Sequence, residues 1–170
     1  MPGIKFFFAS GACSLAPHIL HEAGLDSKLV QTTYYKLNPK MHVPVIIING
    51  EIITKSPAVN IIIPQLSPNK KFLGETPLET VRVYKWMNYI SSTLHKTSYG
   101  HLFRPWRWTT SEDPIVHAGM KAKGEEIVAR CFKHIESRLR EDAVYAVGDD
   151  RTAVDPFLYS MYRWSGLREA

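Results

Sequence analysis

Cysteine is scarce in this chain, which has only two among its 170 residues. Two thiols cannot form the disulfide framework of a small secreted protein, so a reducing compartment is expected. Long apolar runs are missing too: no stretch of about 18 apolar residues occurs, and no basic start followed by an apolar run opens the chain. We therefore expect a soluble, cytoplasmic protein without a membrane segment.

Acidic residues are outnumbered, 16 against 21 lysines and arginines, which gives a formal net charge of +5. This balance suits anionic ligands and raises the question of nucleic acid. The densest basic and aromatic cluster, Arg-Pro-Trp-Arg-Trp at residues 104–108, could stack bases while its arginines meet phosphates. It stands without a basic stripe or a nucleic-acid motif. We predict no nucleic-acid partner, and a loop in which the arginines stack on the tryptophans.

One cysteine lies where a thiol can be activated. The apolar residues 4–8 predict a strand, and Leu15, Ile19 and Leu20 begin a helical stripe, so Cys13 falls at or just before a helix N-terminus. Free amide groups and the helix dipole there can lower a cysteine pKa from about 8.5 to roughly 3.5–7.5. A small buried cysteine is the alternative. Cys131, inside an apolar helical stripe, is assigned to packing.

The first part of the chain reads as a small α/β domain. After the first helix, which Gly24 closes, residues 29–33 predict a second strand and complete a βαβ unit. Asn49-Gly50 between two β-rich runs predicts a hairpin. Ser56 is expected to cap a short helix with Pro57 at its first position. Pro64 is expected to end that helix at or before residue 63.

The rest of the chain is helical in pattern. Residues 67–76 have the composition of a linker, and helices are predicted over about 77–99, over about 115–139 and after residues 152–155, where Asp155 forms a capping-box-like start. The predicted domains are therefore residues 1–66, of α/β type, and 77–170, all helical. We find no internal repeat or low-complexity segment.

Five motifs in this order resemble the cytosolic glutathione transferases, most closely the bacterial beta class. They are G-A-C-S-L-A-P-H at 11–18, N-P-K-x-x-V-P at 38–44, S-P-A at 56–58, W-x-N-Y-I-S-x-x-L-H-K at 86–96 and V-G-D-x-x-T-x-x-D at 147–155. The resemblance implies a thioredoxin-like N-terminal domain, an all-helical C-terminal domain, and a homodimer whose cleft holds glutathione as cosubstrate. It implies no metal.

The resemblance also implies site residues. The catalytic candidates are Cys13, His95 and Lys96: the cysteine acts as a thiolate, His95 exchanges a proton, and Lys96 favours the thiolate electrostatically. The candidates for binding glutathione are Ser14, Val43, Pro44, Lys55 and Ser56. A cis Val43–Pro44 peptide would let the Val43 backbone pair with the tripeptide, and Ser56 at a helix start would hold a carboxylate. Without the resemblance, the sequence indicates that His95 and Lys96 are solvated residues on a helix face. Ser56 is then a helix N-cap without a ligand.

Three departures from the family pattern bear on function. Lys55 stands where an acid or a glutamine usually meets the α-amino group of glutathione, so two cations would face each other. About ten residues link residue 33 to Val43, where the family inserts a further helix and loop. Phe8 replaces a frequent tyrosine and removes a hydroxyl that could donate to the sulfur. In addition to these three, the C-terminus ends soon after Trp164, which is short for the family.

These observations lead to two hypotheses. The first is a beta-type glutathione transferase that uses a cysteine thiolate for conjugation or thiol–disulfide exchange with a small electrophile or disulfide. The rival, motivated by Lys55, Phe8 and the missing helix, is a non-catalytic binding or scaffold protein with the same fold. Tyr99, Phe103, Trp106 and Trp108 could line the pocket for the second substrate, and we expect at least two of these four in the core.

Overall fold

The computed structural model describes residues 3–9, 16–31, 38–40 and 42–166. The chain groups into two compact units. The first takes in the described residues of Met1–Met87 and Tyr145–Ala170, and the second is Asn88–Val144. The domain boundaries expected from the sequence, at 66 and 77, stay a prediction.

The first unit contains a four-stranded mixed sheet. Its strands are β1 (Ile4–Phe7), β2 (Ser27–Val30), β3 (Val45–Ile48) and β4 (Glu51–Thr54), in the order β2-β1-β3-β4. β1 and β2 are parallel and are joined through α1 (Ala16–Glu22), whereas the other two pairs are antiparallel. The predicted βαβ unit and hairpin are therefore confirmed, although β2 begins two residues earlier than expected.

Local sequence explains the turns of this unit. Ile48 pairs with Glu51, so the hairpin has a two-residue loop, and Asn49 and Gly50 adopt φ values of 52° and 90°. Positive φ at both positions is what a type I′ turn requires, and Asn-Gly supplies it at low cost. Gly24 ends α1 with φ 67°, as predicted.

The helix after the hairpin, α2 (Ser56–Gln65), differs from the prediction at both ends. Lys55 takes the N-cap position, so Ser56 is the first helical residue. Pro64 lies inside the helix, and the expectation of an end at or before Ile63 is wrong. A proline in the last turn removes only one backbone bond, and its ring is buried here. The chain then closes the turn, because Leu66 N–H donates to Ile62 O at 3.2 Å.

Between β2 and β3 the described residues, 31, 38–40 and 42–44, form no helix or strand. The shorter connection expected from the sequence stays a prediction, because residues 32–37 and 41 lie outside the described part of the chain.

Two capping arrangements start the later helices of the first unit. At α3 (Pro77–Tyr89) the Glu79 carboxylate accepts from the backbone N–H of Glu75 and Thr76, at 2.7 and 3.1 Å. At α6 (Val154–Gly166) the Asp155 carboxylate accepts from Thr152 N–H at 2.7 Å, and from Ala146 N–H at 2.8 Å. The predicted capping role of Asp155 is thus confirmed, and the carboxylate also fixes the loop before α6.

The second unit is helical. A π-helix (Ile90–Tyr99) and α4 (Gly100–Phe103) follow α3, and the long α5 (Pro114–Glu136) packs against both. Short 3-10 helices occur at Pro68–Lys70 in the first unit and at Pro105–Arg107 in the second. The single helix expected over 77–99 is therefore continuous but changes type at Ile90. The fold class is the expected one: a thioredoxin-like α/β arrangement with a helical part.

Candidate functional site

The four predicted binding residues that the structure describes lie at one edge of the sheet. Phe7 at the end of β1 pairs with Val45 at the start of β3, and Val45 pairs in turn with Thr54 at the end of β4. This register places Val43–Pro44, just before β3, at the same edge as Lys55 and Ser56, just after β4. Phe8 lies at this edge too, where its N–H donates to Val30 O at 3.2 Å.

The Val43–Pro44 peptide is cis, as the family resemblance implies. A buried asparagine holds the turn before it. Asn38 is only 4% exposed, its Nδ2 donates to His42 O at 2.7 Å, and its Oδ1 accepts from Lys40 N–H at 3.2 Å. Asn38 was not among the predicted site residues. The Asn-Pro pair that opens the 38–44 motif carried the signal, because asparagine side chains commonly bond to backbone two residues on.

The N-terminus of α2 gives this edge a positive potential. The first turn of α2 carries no acidic residue, and Lys55 before it is exposed with φ 80°. Ser56 is 8% exposed and begins the helix. The helix dipole adds partial positive charge, and Lys40 brings a further exposed cation to the nearby turn. The arrangement is suited to a carboxylate.

Two of the predicted site residues precede α1 in the chain. Cys13 and Ser14 lie outside the described residues, as does the rest of 10–15. Their place in the chain is nevertheless defined, since they fall between the end of β1 and the buried Ala16 that begins α1.

His95 and Lys96 belong to the second unit, within the π-helix. The imidazole of His95 is half-buried, and the Lys96 side chain is exposed. Both sit in a run rich in serine and threonine whose hydroxyls bond back to the helix backbone.

Of the four aromatic residues expected around a second substrate, fewer are buried than predicted. Tyr99 is 1% exposed, but Phe103, Trp106 and Trp108 are 41%, 58% and 38% exposed. The expectation of at least two in the core is wrong, because Phe103 and Trp108 stack at the surface. Phe103 lies on Tyr99 with ring centres 5.4 Å apart, and Trp108 lies on the His101 imidazole at 4.2 Å. An imidazole thus occupies a tryptophan face where arginine was expected.

Comparison with known proteins places the chain. It is 30% identical over 180 residues to glutathione S-transferase GstA of Escherichia coli O157:H7, covering 95% of this chain and 82% of GstA. No protein-family model matches. The chain belongs to the glutathione S-transferase family.

Solved structures of the family share the fold. BphK, a bacterial GST solved as a ternary complex, superposes with a TM-score of 0.83 at 29% identity, over 98% of this chain and 84% of BphK. A glutathione transferase homologue from Sulfitobacter, solved with bound glutathione, gives 0.84 at 24% identity, over 96% and 83% of the two chains. The resemblance carried by the five sequence motifs is therefore confirmed at the level of family and fold.

Cys131, the second cysteine of this glutathione S-transferase, packs as predicted. It is free, 3% exposed, and its Sγ lies 3.5 Å from the Ser98 hydroxyl. Burial raises the pKa of the nearby Tyr89 phenol, and a hydrogen bond with Cys131 raises it further. Tyr89 therefore stays neutral, and its ring also contacts His134 at 5.1 Å.

Metal-binding clusters and membrane-spanning helices are both absent from the described part of the chain. Over 3–9, 16–31, 38–40 and 42–166 no three His, Cys, Asp or Glu side chains are grouped so as to hold a metal ion. Nor is any helix within these ranges long and apolar enough to cross a membrane.

Proposed function

We propose that this chain is an active glutathione transferase of the beta type. Glutathione binds at the sheet edge formed by Val43, Pro44, Lys55 and Ser56, with Ser14 contributing. Cys13 is the reactive thiolate, and His95 and Lys96 act on its protonation. The main support for this proposal is the pairing of β3 with β4. It brings Val43 and Pro44 to the same edge of the sheet as Lys55 and Ser56.

The electrostatics of the edge support glutathione as the ligand. The tripeptide carries two carboxylates, and the α2 N-terminus with Lys55 and Lys40 offers positive charge without an acidic residue in the first turn of the helix. The solved Sulfitobacter homologue was crystallised with glutathione. In the expected pose, the backbone of Val43 pairs with that of the tripeptide, which adds a short stretch of sheet-like hydrogen bonding.

Two reactions are open to the proposed site, and the second uses the Cys13 thiolate as the nucleophile. In conjugation, the thiol of glutathione gives its proton to a base such as His95, its sulfur forms a bond to an electrophilic carbon, and the leaving group departs with the bonding electron pair. In exchange, Cys13 attacks a disulfide and forms a mixed disulfide while one thiolate leaves. Two glutathione molecules then complete the cycle: they are oxidised to glutathione disulfide, and the substrate is reduced to two thiols.

Replacement of Cys13 by alanine tests this assignment. Disulfide-reductase turnover should be lost, because no other group of the proposed site can form the mixed disulfide. The reaction is followed as glutathione disulfide produced from reduced glutathione and a small dialkyl disulfide. Cys131→Ala is the matched control, since it removes the buried packing thiol and should retain turnover. Turnover of the Cys13→Ala variant at the native rate would refute the proposal.

Lys55 favours a second candidate function. A lysine at this position would oppose the α-ammonium group of glutathione, which is the situation of a binding or scaffold protein that keeps the fold without catalysis. Its long exposed side chain can instead reach the ligand carboxylate and leave the site open. Efficient turnover at millimolar glutathione excludes the scaffold function.

A further inference from the structure

The helix that carries His95 is unusual in its backbone. From Ile90 to Tyr99 it is a π-helix of 10 residues. π-helices are rare, and most are single-turn bulges inside α-helices, frequently at functional sites. A run of this length needs local interactions that favour a bond between residues five apart over the usual four.

Two hydroxyl groups supply such interactions. Thr97 Oγ1 donates to Ser92 O at 3.0 Å, and Ser98 Oγ donates to Thr93 O at 2.8 Å. Both bonds reach back five residues, the same step as the backbone bond of a π-helix. By contrast, Ser92 Oγ donates to Asn88 O at 2.7 Å, which is the four-residue step of an α-helix.

The π-helix also determines which side chains face inward. Ile90 and Tyr99 are nine residues apart, and an α-helix would place them on opposite faces, roughly 180° apart. Both are buried, at 0% and 1% exposure. His95 is five residues after Ile90, which in an α-helix is a rotation of about 140° away from it. In the π-helix, residues five apart lie on neighbouring turns of the same side, and the imidazole is half-buried while Lys96 is exposed.

We propose that Thr97 and Ser98 are positioning residues that hold this segment in the π form and so keep the His95 imidazole at the margin of its buried face. Their hydroxyls act through the backbone and do not touch the reacting atoms. The expected effect on turnover rests on the proposed function, in which His95 exchanges a proton with a thiol. The orientation of the imidazole itself does not depend on that function.

The test is Thr97→Val, which removes one hydroxyl and nearly keeps the shape of the side chain. We expect kcat for an electrophilic aryl halide to fall about tenfold at unchanged KM for glutathione, a fraction of what a general base contributes. The imidazole resonance of His95, assigned by its loss in His95→Gln, should shift in position and in titration midpoint. Ser92→Ala removes a hydroxyl bonded in the four-residue step and should change neither. Thr97→Ser keeps the hydroxyl and should behave as the native protein.

Two results would overturn the positioning role. One is a native His95 resonance and native kcat in Thr97→Val, and the other is an equal loss in Thr97→Val and Ser92→Ala. The failure of the proposed function is distinguishable, because it appears as native turnover in His95→Gln. In that case the resonance shift in Thr97→Val still decides whether the hydroxyl positions the imidazole.

Discussion

Glu79 is the side chain that organises the start of α3. Besides its bonds to Glu75 and Thr76, it receives support from two glycines that leave room for it. A Cβ on Gly74, at φ 86°, would lie 2.5 Å from the Glu79 Cβ, and one on Gly148, at φ 67°, would lie 3.1 Å from Glu79 Oε1. The glycine of the V-G-D motif is therefore tied to the cap of another helix within the first unit.

Glu79→Gln should lower stability only where the carboxylate is ionised. The backbone hydrogen bonds from Glu75 and Thr76 hold the pKa of Glu79 below its ordinary value of 4.5. A carboxyl whose pKa is lower in the folded state contributes stability above the unfolded pKa, and loses it as the pH falls through the folded pKa. The urea midpoint of the variant should thus lie below the native one at pH values above 4.5. The two midpoints should converge in more acidic solution.

The exposed Glu141 provides the control for this titration. Glu141→Gln removes the same charge from a loop. Its urea midpoint should stay nearly native both above pH 4.5 and in more acidic solution. If the urea midpoints of Glu79→Gln and native protein differed by the same amount across the whole pH range, the capping role of the ionised Glu79 would be contradicted.

Single residues could be predicted where a local pattern carries its own mechanism. Asp155 was predicted as a cap from the Thr152-to-Asp155 spacing and is one. The same three-residue spacing from Thr76 to Glu79 is typical of the cap at the start of α3. The positive φ of Lys55 could not be predicted, because lysine has no preference for that conformation and only the surrounding fold imposes it.

At the scale of the elements, α5 approaches α4 closely because it has a glycine at the contact. Gly124 is buried, and a Cβ there would lie 2.7 Å from the Leu102 backbone nitrogen. Gly119, on the same helix, has nothing within 4 Å of a Cβ. The two positions form a matched pair in one helix.

Gly124→Ala should destabilise the protein by about 1–3 kcal/mol, since the clash is with backbone and the helices must separate. Gly119→Ala should stabilise by about 0.5–1 kcal/mol, because alanine is the better helix former and meets no obstacle. Both values come from urea denaturation. Equal effects of the two substitutions would show that the packing of α4 on α5 is not as close as described.

The sequence predicted the existence of elements better than their backbone type or ends. The hairpin, the βαβ unit and the long helices follow from period, capping and Asn-Gly. The π-helix could not be predicted in this way, because buried residues at 90, 94 and 98 also fit an α-helical stripe. Only the burial of Tyr99 distinguishes the π-helix from an α-helix. The length of α2 was mispredicted because one proline in a last turn costs less than one in a helix centre.

At the scale of the whole molecule, the chain leaves apolar side chains exposed on the first unit. Ile52 on β4 and Leu78 and Val81 on α3 are 45%, 59% and 61% exposed. Leu78 and Val81 lie three residues apart on α3 and are neighbours on its surface. The homodimer that the family resemblance implies stays a prediction, and we propose this pair as part of its interface.

Val81→Asp should shift a dimer toward monomer, because a buried carboxylate without a partner is costly at an interface. Sedimentation velocity measures the change. Ile115→Asp places the same charge at a more exposed position on α5, 80% exposed, and should leave the sedimentation coefficient unchanged. Native protein that sediments as a monomer would contradict the homodimer.

Family and fold could be predicted from the sequence because five short motifs occur in a fixed order along nearly the whole chain. For the candidate site, the register brings Val43, Pro44, Lys55 and Ser56 to one edge of the sheet, and the binding of glutathione by these residues stays a prediction.

The most direct measurement is a calorimetric titration of reduced glutathione into the native protein, with Lys55→Glu in parallel and Lys70→Glu as a control of equal charge change on the same unit. We predict micromolar to low-millimolar affinity for the native protein, weaker binding by Lys55→Glu, which replaces a cation that reaches the ligand carboxylate by an anion, and native affinity for Lys70→Glu. No binding by the native protein, with recovery in Lys55→Glu alone, would contradict the account and show that Lys55 closes the site.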